Sequence, residues 1–173
     1  MEPISLIISP ELIKAAQELN SPLLKVPDDA FHGKGESKRW PERLAITRVS
    51  CEKVEESDRY AFQVGFKVSA ESPTPVNRGR NTRGYYLYNP KANGDEKDAF
   101  MSKITLSRLD SLLRAVGYVF PPGESVDYGN LFSDPDSTLL GREVNAVITD
   151  RPDKADPTIR RQEVGSFSVV DDG

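Results

Sequence analysis

The chain has 173 residues, of which 37% are hydrophobic and 29% are charged. This length fits one domain with long loops, and the modest apolar share favours a small barrel over a thick layered enzyme. The single cysteine, Cys51, excludes an intrachain disulfide and a cluster of zinc-binding thiolates. The first residues do not read as a signal peptide, and no segment approaches the roughly 18 apolar residues of a membrane span. We therefore expect a protein of the cytoplasm with no membrane segment.

The net charge of −4 is unevenly distributed along the chain. Residues 34–115 carry 16 basic and 11 acidic side chains, whereas residues 1–33 and 116–173 are both acidic. Local fields near a groove matter more than the total charge. The basic middle is therefore compatible with a polyanionic ligand, and equally with a solvated surface that binds nothing.

Residues 1–43 are predicted to form a helix and a connector that pack on the main domain. Ser9 is a good helix cap, Pro10 suits the first helical position, and Glu11 faces the positive end of the helix dipole. Apolar residues then recur at helical spacing. The region 20–43 is rich in Pro, Gly and charge, which predicts an irregular connector.

Three strands are predicted in the next part of the chain, at residues 44–54, 59–70 and 84–89. The second gives the clearest signal, because apolar residues occupy every second position, as a half-buried strand requires. The aromatic residues that we expect in the core are Tyr60, Phe62 and Phe66.

A helix is predicted over residues 103–116, where leucines recur at helical spacing, and Gly117 stands where a glycine commonly ends a helix. The loop 118–140 that follows is long for a structureless connection, so it either covers the core or has a function. Two further strands are predicted at residues 144–150 and 163–170.

The predicted order is a helix, three strands, a helix and two strands. This is the element order of an OB fold, a five-stranded Greek-key barrel. We therefore predict a mainly-β OB-type barrel over residues 44–170, followed by a short acidic end at 171–173. A small SH3-like barrel and a β-sandwich with extra helices are the competing interpretations. OB barrels commonly bind oligonucleotides or oligosaccharides on one face and at the loops joining strands one–two and four–five.

Two stretches of the sequence carry a resemblance to a known family. The third strand leads into the helix through GYYLYNP and LSRLDSLLRAVG, and the fourth strand lies within LLGREVNAVITDRPD. Over residues 44–170, this order and cadence resemble the OB-fold single-stranded-DNA-binding proteins encoded by bacteriophages. The resemblance implies a sequence-tolerant protein that coats single-stranded DNA in replication or recombination, without fixed catalytic residues.

A single-strand binder needs cations that replace phosphate counterions, and arginine can both pair with a phosphate and stack on a base. Candidate cations occur on the second strand, before the third strand and between the last two strands: Lys67; Arg78, Arg80 and Arg83; Arg151, Lys154, Arg160 and Arg161. The alternative is that these are solvated charges without a ligand.

Flat aromatic rings for base stacking are the second requirement. On the third strand, Tyr86 and Tyr88 share one face, and Tyr85 shares the other with Leu87. If Leu87 belongs to the core, Tyr86 and Tyr88 point outward, and we expect this pair to stack on bases. The alternative is that all three tyrosines fill the barrel. Trp40 is either a second stacking platform or a plug under the barrel.

Catalytic and metal-binding interpretations find little support in the sequence. His32 has no second histidine as co-ligand or base, and the aspartates around the prolines at 135, 152 and 157 lack the spacing of a calcium loop. We expect no enzyme activity, no metal and no cofactor. RNA is an alternative ligand to single-stranded DNA, and a homo-oligomer is left open. The competing function is a protein-interaction or virion-assembly module on the same scaffold.

Overall fold

The computed structural model describes residues 3–19, 23–33, 35–90, 96–134 and 137–171, with residues 15–19 described by their backbone alone. The chain is mainly β, as predicted. The helices of the described residues are α1 (Pro10–Leu19), α2 (Glu96–Ala115) and α3 (Tyr128–Leu131). The strands are β1 (Phe31–His32), β2 (Lys38–Lys53), β3 (Tyr60–Val68), β4 (Asn81–Tyr88), β5 (Glu143–Pro152) and β6 (Arg160–Val169).

The strands form an antiparallel sheet in the order β4-β3-β2-β5-β6, with β1 added to β2. The two halves of β2 have different partners, because residues 44–53 pair with β3 and residues 38–45 pair with β5. A β-bulge between Ile46 and Arg48 lies just beyond the point where one partner gives way to the other. Bulges bend a strand and increase its twist, so β2 curves the sheet. The strands β4 and β6 form its two edges.

The first long strand begins at Lys38, earlier than the predicted 44. Pro41 favours a connector in the sequence, yet it pairs with Val147 of β5. Proline is tolerated in a strand where its missing N–H breaks no ladder bond. Pro41 pairs with β5 on one side, and none of the described strands pairs with it on the other side. There, the pairing of β2 with β1 ends at Arg39 and its pairing with β3 starts at Leu44.

The two predicted helices are confirmed. The Ser9 hydroxyl caps α1 by accepting a hydrogen bond from the Leu12 N–H at 3.3 Å. Gly117, just beyond α2, has a φ of +85°, a conformation that favours glycine. The helix α2 begins at Glu96 rather than at 103, because acidic residues stabilise its first turn before the apolar periodicity starts. No helix of the described residues has the length and apolar character needed to cross a membrane.

The described residues of the loop 118–140 cover the core. Phe132 and Leu139 are 0% and 1% exposed. Phe132 packs edge-on against Phe62 of β3, with their ring centroids 5.4 Å apart. Of the two alternatives that the sequence leaves open for this loop, the structure shows the covering role.

The core lies between the inner face of the curved sheet, α2 and this loop. Phe62, Val64 and Phe66 alternate along β3 and are 4%, 0% and 0% exposed, which confirms the predicted inner face. Tyr60 is 37% exposed, so its predicted core position is wrong. It is the first residue of β3, and the buried positions of this strand begin after it.

A buried carboxylate on β2 joins three segments of the chain. Glu42 accepts hydrogen bonds from Trp40 Nε1 (2.8 Å), the Ser72 hydroxyl (2.5 Å) and the Asn77 side-chain amide (2.8 Å). Asn77 also exchanges two hydrogen bonds with the backbone of Lys25, each 2.8 Å long. Buried polar groups need such partners, because an unsatisfied one is costly in a weakly polar interior. The network holds the β3–β4 connection and the connector before β1 on β2.

A second side-chain amide holds the same connector. Gln162 of β6 donates to the Leu24 carbonyl at 2.7 Å and accepts from the Leu24 N–H at 2.8 Å. Leu24 itself is buried in the core. In α1, by contrast, Leu12 and Ile13 are 64% and 46% exposed.

Truncation of Phe62 tests the assignment of the inner face. We expect Phe62→Ala to lower the free energy of unfolding by about 3–5 kcal/mol, because it leaves a cavity against Phe132. Phe100 is the matched control, since it is 65% exposed, and Phe100→Ala should change stability by no more than about 0.5 kcal/mol. Urea unfolding followed by circular dichroism gives both values. A Phe62→Ala protein as stable as the parent would show that the inner face is assigned wrongly.

Candidate nucleic-acid interface

A cleft with a volume of about 320 Å³ lies between the two edge strands, β4 and β6. Five arginine side chains from β4, α2, β5 and β6 line it: Arg83, Arg108, Arg151, Arg160 and Arg161. Among the described residues of its lining, Glu163 is the one acidic side chain. We refer to this feature as the arginine cleft.

One hydrogen bond joins the two edges beside the cleft. The Tyr86 hydroxyl of β4 donates to the Val164 carbonyl oxygen of β6 at 2.6 Å. The ring lies over Gly84, where an added Cβ atom would clash with the Tyr86 oxygen, so a larger residue there would displace the ring. Tyr86 is 3% exposed, and this burial raises the pKa of its hydroxyl well above the ordinary value. The hydroxyl therefore stays protonated and remains a donor at neutral pH.

Glu163 positions two arginines of the cleft. Its carboxylate accepts from Arg151 at 3.0 Å and from Arg108 of α2 at 3.3 Å. One carboxylate balances one guanidinium, so this group of three side chains keeps a net positive charge. All three are partly exposed, and solvent-screened pairs of this kind are weak. A phosphate can therefore replace the carboxylate as the partner of either arginine.

The two arginines of β6 have different roles. Arg160 donates from Nε to Asp150 at 2.7 Å, and the buried Asp150 also accepts from Gln162 at 2.9 Å. This pair is structural, because loss of the arginine would leave a buried charge without its counter-ion. Arg161 donates to Asp153 at 2.8 Å, and this bond lowers the pKa of the Asp153 carboxyl. Arg161 is mostly exposed, so it can exchange this partner for a phosphate.

The exposed face of β4 carries Arg83 and Tyr85 at the mouth of the cleft. Side chains alternate along a strand, so these two point away from the core, whereas Thr82 and Tyr86 point into it. Tyr85 is 51% exposed. No ion pair joins Arg83 to another residue of the described chain. Lys67 is exposed on the same side of the neighbouring strand β3.

The prediction that Tyr86 and Tyr88 point outward is wrong. Both lie on the inner face, where Tyr86 is buried and Tyr88 is half-buried against the core. The apolar side chain of Leu87 favours a core position, but in the structure it is only half-buried. The Leu87 carbonyl oxygen accepts a hydrogen bond from the Thr105 hydroxyl of α2 at 2.6 Å. A tyrosine is a good core residue where its hydroxyl finds a partner, as that of Tyr86 does. The exposed ring of this strand is therefore Tyr85.

The three arginines before and within β4 do not act together. Arg83 lines the cleft, whereas Arg78 donates from Nε to the Ser72 carbonyl at 2.9 Å. Arg80 is 6% exposed, which corrects its prediction as a phosphate contact, because a buried guanidinium does not reach a ligand in solvent. Lys154 is exposed on the β5–β6 turn but lies outside the lining of the cleft.

Trp40 is a core residue. It is 2% exposed and its indole Nε1 donates to Glu42, so its interpretation as a stacking platform is wrong. Its charged and proline neighbours suggest an exposed ring, but alternation along β2 directs Trp40 to the inner face.

Two cations of this surface are missed by sequence analysis. Arg108 lies on α2, remote in sequence from the basic loops, and reaches the cleft because α2 packs against β4 and β6. Arg48 shares the exposed face with Arg83, since both pair with Gly65 of β3, one from each side. Strict alternation from the buried Ile46 would direct Arg48 into the core, and the bulge between them turns it outward.

Compared with protein-family models, with curated proteins and with solved structures, the chain matches none of them. The geometry of the arginine cleft and of the exposed face of β4 is therefore the main support for a function.

Replacement of Tyr86 by phenylalanine tests the contact between the edge strands. Tyr86→Phe keeps the ring but leaves the Val164 carbonyl without its donor, so we expect a loss of about 1–2 kcal/mol in the free energy of unfolding at neutral pH. Because the pKa of Tyr86 is raised in the fold, ionisation in the unfolded chain destabilises the parent as the pH rises through about 10. Phenylalanine has no such proton, so the difference between parent and variant should shrink there.

Chemical unfolding at about pH 7 and about pH 10.5 measures this difference. Tyr85→Phe is the control, since the exposed Tyr85 hydroxyl should change neither value appreciably. A difference between parent and Tyr86→Phe that grows with pH would contradict the assigned pKa shift.

Proposed function

We propose that the chain binds single-stranded DNA with little sequence preference, along the exposed face of β4 and into the arginine cleft, and thereby coats the strand. The observation that carries this proposal is the combination of five arginines and an exposed tyrosine between two strand edges. A single strand presents the two groups that such a surface recognises, namely a phosphate backbone and unstacked bases.

The arginines supply the part of the affinity that does not depend on sequence. Each guanidinium that neutralises a phosphate releases condensed counterions, which favours binding at low salt. Arg83 is exposed, and Arg151 and Arg161 are held in partly exposed ion pairs, so all three are available to phosphates. Arg160 instead keeps its buried partner and fixes the shape of the cleft.

Tyr85 supplies the flat ring. Stacking of a base on an exposed aromatic side chain contributes about 1–3 kcal/mol and tolerates any base, because every base has a π-face. Arg83 and Tyr85 lie two positions apart on the same face, which puts their Cα atoms about 7 Å from each other. One nucleotide can therefore contact both side chains, with its base on the ring and its phosphate on the guanidinium.

We infer further that the curved sheet is an OB-type barrel. Counted from β2, the sheet has five strands with α2 between the third and the fourth, and the Tyr86–Val164 bond brings its edges together. OB barrels are partly open and bind oligonucleotides on the face of strands two and three and at the loop joining strands four and five. The counterparts here are β3, β4 and the β5–β6 turn. The resemblance to phage-encoded single-strand binders supports the same function.

The dependence of binding on salt tests the electrostatic part of the proposal. For an unstructured oligothymidylate, the logarithm of the affinity should fall linearly with the logarithm of the salt concentration. Arg83→Ala should make this slope shallower by about 0.7, the value for one phosphate contact on a single strand. Arg142→Ala is the matched control, because Arg142 is exposed but lies outside the cleft. Fluorescence polarisation over a series of salt concentrations measures the slopes.

Two results would contradict the proposal: no binding at low salt, or an affinity that does not change with the salt concentration. Either would favour the alternative of a protein-interaction module. An oligoribonucleotide of the same length, measured in parallel, distinguishes a preference for RNA from one for DNA.

Replacement of Tyr85 separates stacking from packing. We expect Tyr85→Ala to weaken binding by about 1–3 kcal/mol, because a base loses its ring. Stability should remain nearly unchanged, because the side chain is 51% exposed. Tyr85→Phe should bind like the parent. Phe100→Ala is the control, since Phe100 is exposed but lies outside the arginine cleft. Equal affinities of the Tyr85→Ala and Phe100→Ala proteins would exclude stacking on this face.

A further inference from the structure

The first described residues leave a large apolar surface exposed. Residues 3–13, which we name the apolar arm, comprise the segment before α1 and the first turn of that helix. Six large apolar side chains of the arm are between 46% and 92% exposed: Ile4, Leu6, Ile7, Ile8, Leu12 and Ile13. The segment 3–10 carries no charged side chain. An exposed apolar run of this size in water marks an interaction site.

A second cavity, with a volume of about 500 Å³, has a chemistry that matches the arm. Its wall is mainly aromatic and aliphatic, with Tyr60, Phe62, Tyr88, Leu106, Val126 and Tyr128. We name it the tyrosine pocket. Among the described residues that line it, Asp127 is the one charged side chain, and it caps α3 by accepting from the Asn130 N–H at 3.0 Å. The pocket therefore differs from the arginine cleft in both polarity and charge.

The tyrosine pocket is weakly polar and open at its rim. Tyr60 and Leu106 are each 37% exposed. Burial raises the pKa of the Cys51 thiol and of the Tyr128 hydroxyl, both of which lie in the wall. Such a site favours apolar side chains, because their burial removes apolar surface from water.

We propose that copies of this chain associate head to tail, with the apolar arm of one copy docked in the tyrosine pocket of the next. Both surfaces are mainly apolar, each with a single carboxylate (Glu11 in the arm and Asp127 in the pocket), and the described part of each chain carries both surfaces. Short apolar segments commonly bind in hydrophobic or aromatic-lined grooves. A contact between two different surfaces of one chain is heterologous, and it extends into an open chain of copies unless the rotation closes a ring.

The arm is long enough to reach a neighbouring molecule. The connector that follows it is fixed on the sheet at Leu24 and Lys25, through Gln162 and Asn77. The helix α1 alone spans about 15 Å at 1.5 Å per residue. Residues 3–9 add up to roughly 23 Å if they extend. Self-association goes beyond nucleic-acid binding and does not depend on it, although an open chain of copies suits the coating of a linear strand.

Sedimentation velocity without nucleic acid tests the contact. The parent protein should sediment faster as its concentration rises. Leu6→Asp in the arm should raise the Kd of self-association at least about tenfold, because it replaces a buried apolar contact by a charge. Gly129→Leu should have the same effect by filling the pocket. A Cβ atom at Gly129 would lie 3.4 Å from Asp127 Oδ1, which is an ordinary contact, so this variant can fold.

Two further variants complete the experiment, one as a control and one as a substitute. Val119→Asp should associate like the parent, since Val119 is 83% exposed but belongs to neither the arm nor the lining of the pocket. Leu106→Asp, at the rim of the pocket, replaces Gly129→Leu if circular dichroism shows that the latter is unfolded.

A mixture of the two disrupted proteins gives the sharpest result. The Leu6→Asp protein has an intact pocket and the Gly129→Leu protein has an intact arm. An equal mixture should therefore form dimers and no larger species, at a concentration at which either protein alone stays monomeric.

A parent that stays monomeric at every concentration would overturn the proposal, and so would association of either disrupted variant at the level of the parent. A Val119→Asp control that self-associates as weakly as the two disrupted variants would also overturn it. A lower thermal stability of Leu6→Asp without a change in association would place the arm in the pocket of its own chain, which also overturns it. Nucleic acid is absent from these experiments, so their failure is distinguishable from a failure of single-strand binding.

Discussion

The bend of β2 is the constraint on which the rest of the structure depends. Its first half pairs with β5 and its second half with β3, so this one strand belongs to both halves of the sheet. The bulge between Ile46 and Arg48 keeps the inner face apolar through the bend, because Val49 and Cys51 beyond it still pack against the core. The curvature that results determines where the edges β4 and β6 lie, and with them the site between those edges.

The arginine cleft is polar because an edge strand of the sheet lies on each side of it. Edge strands present backbone N–H and C=O groups that need partners other than a neighbouring strand. The Tyr86 hydroxyl satisfies one of these groups, the Val164 carbonyl, and Arg108 of α2 lines the same cleft with Glu163 as its hydrogen-bond partner. The same incomplete pairing that leaves room for arginine side chains leaves room for a ligand. The proposed binding site is thus a consequence of where the two edge strands of the sheet lie, rather than an addition to it.

Surfaces of opposite chemistry are combined in one chain. The arginine cleft concentrates positive charge in a chain whose net charge is −4, and buried or exposed carboxylates hold most of its arginines in position. The tyrosine pocket and the apolar arm carry almost no charge. The cleft would bind a phosphate through charge, whereas the pocket and the arm would associate through the hydrophobic effect. Salt therefore weakens the first kind of contact and leaves the second in place. Strand binding and self-association can therefore occur together.

The sequence by itself determined those elements whose signals are local. Alternation along β3 put Phe62 and Phe66 on the inner face, and Ser9 and Gly117 marked helix ends, because strand period, capping and backbone φ depend on neighbours in the chain. Only the tertiary structure decided which face of β4 is buried, since the partner of Tyr86 lies 78 positions away. A tyrosine ring or a guanidinium is compatible with the core and with solvent alike, and a distant partner selects between the two environments.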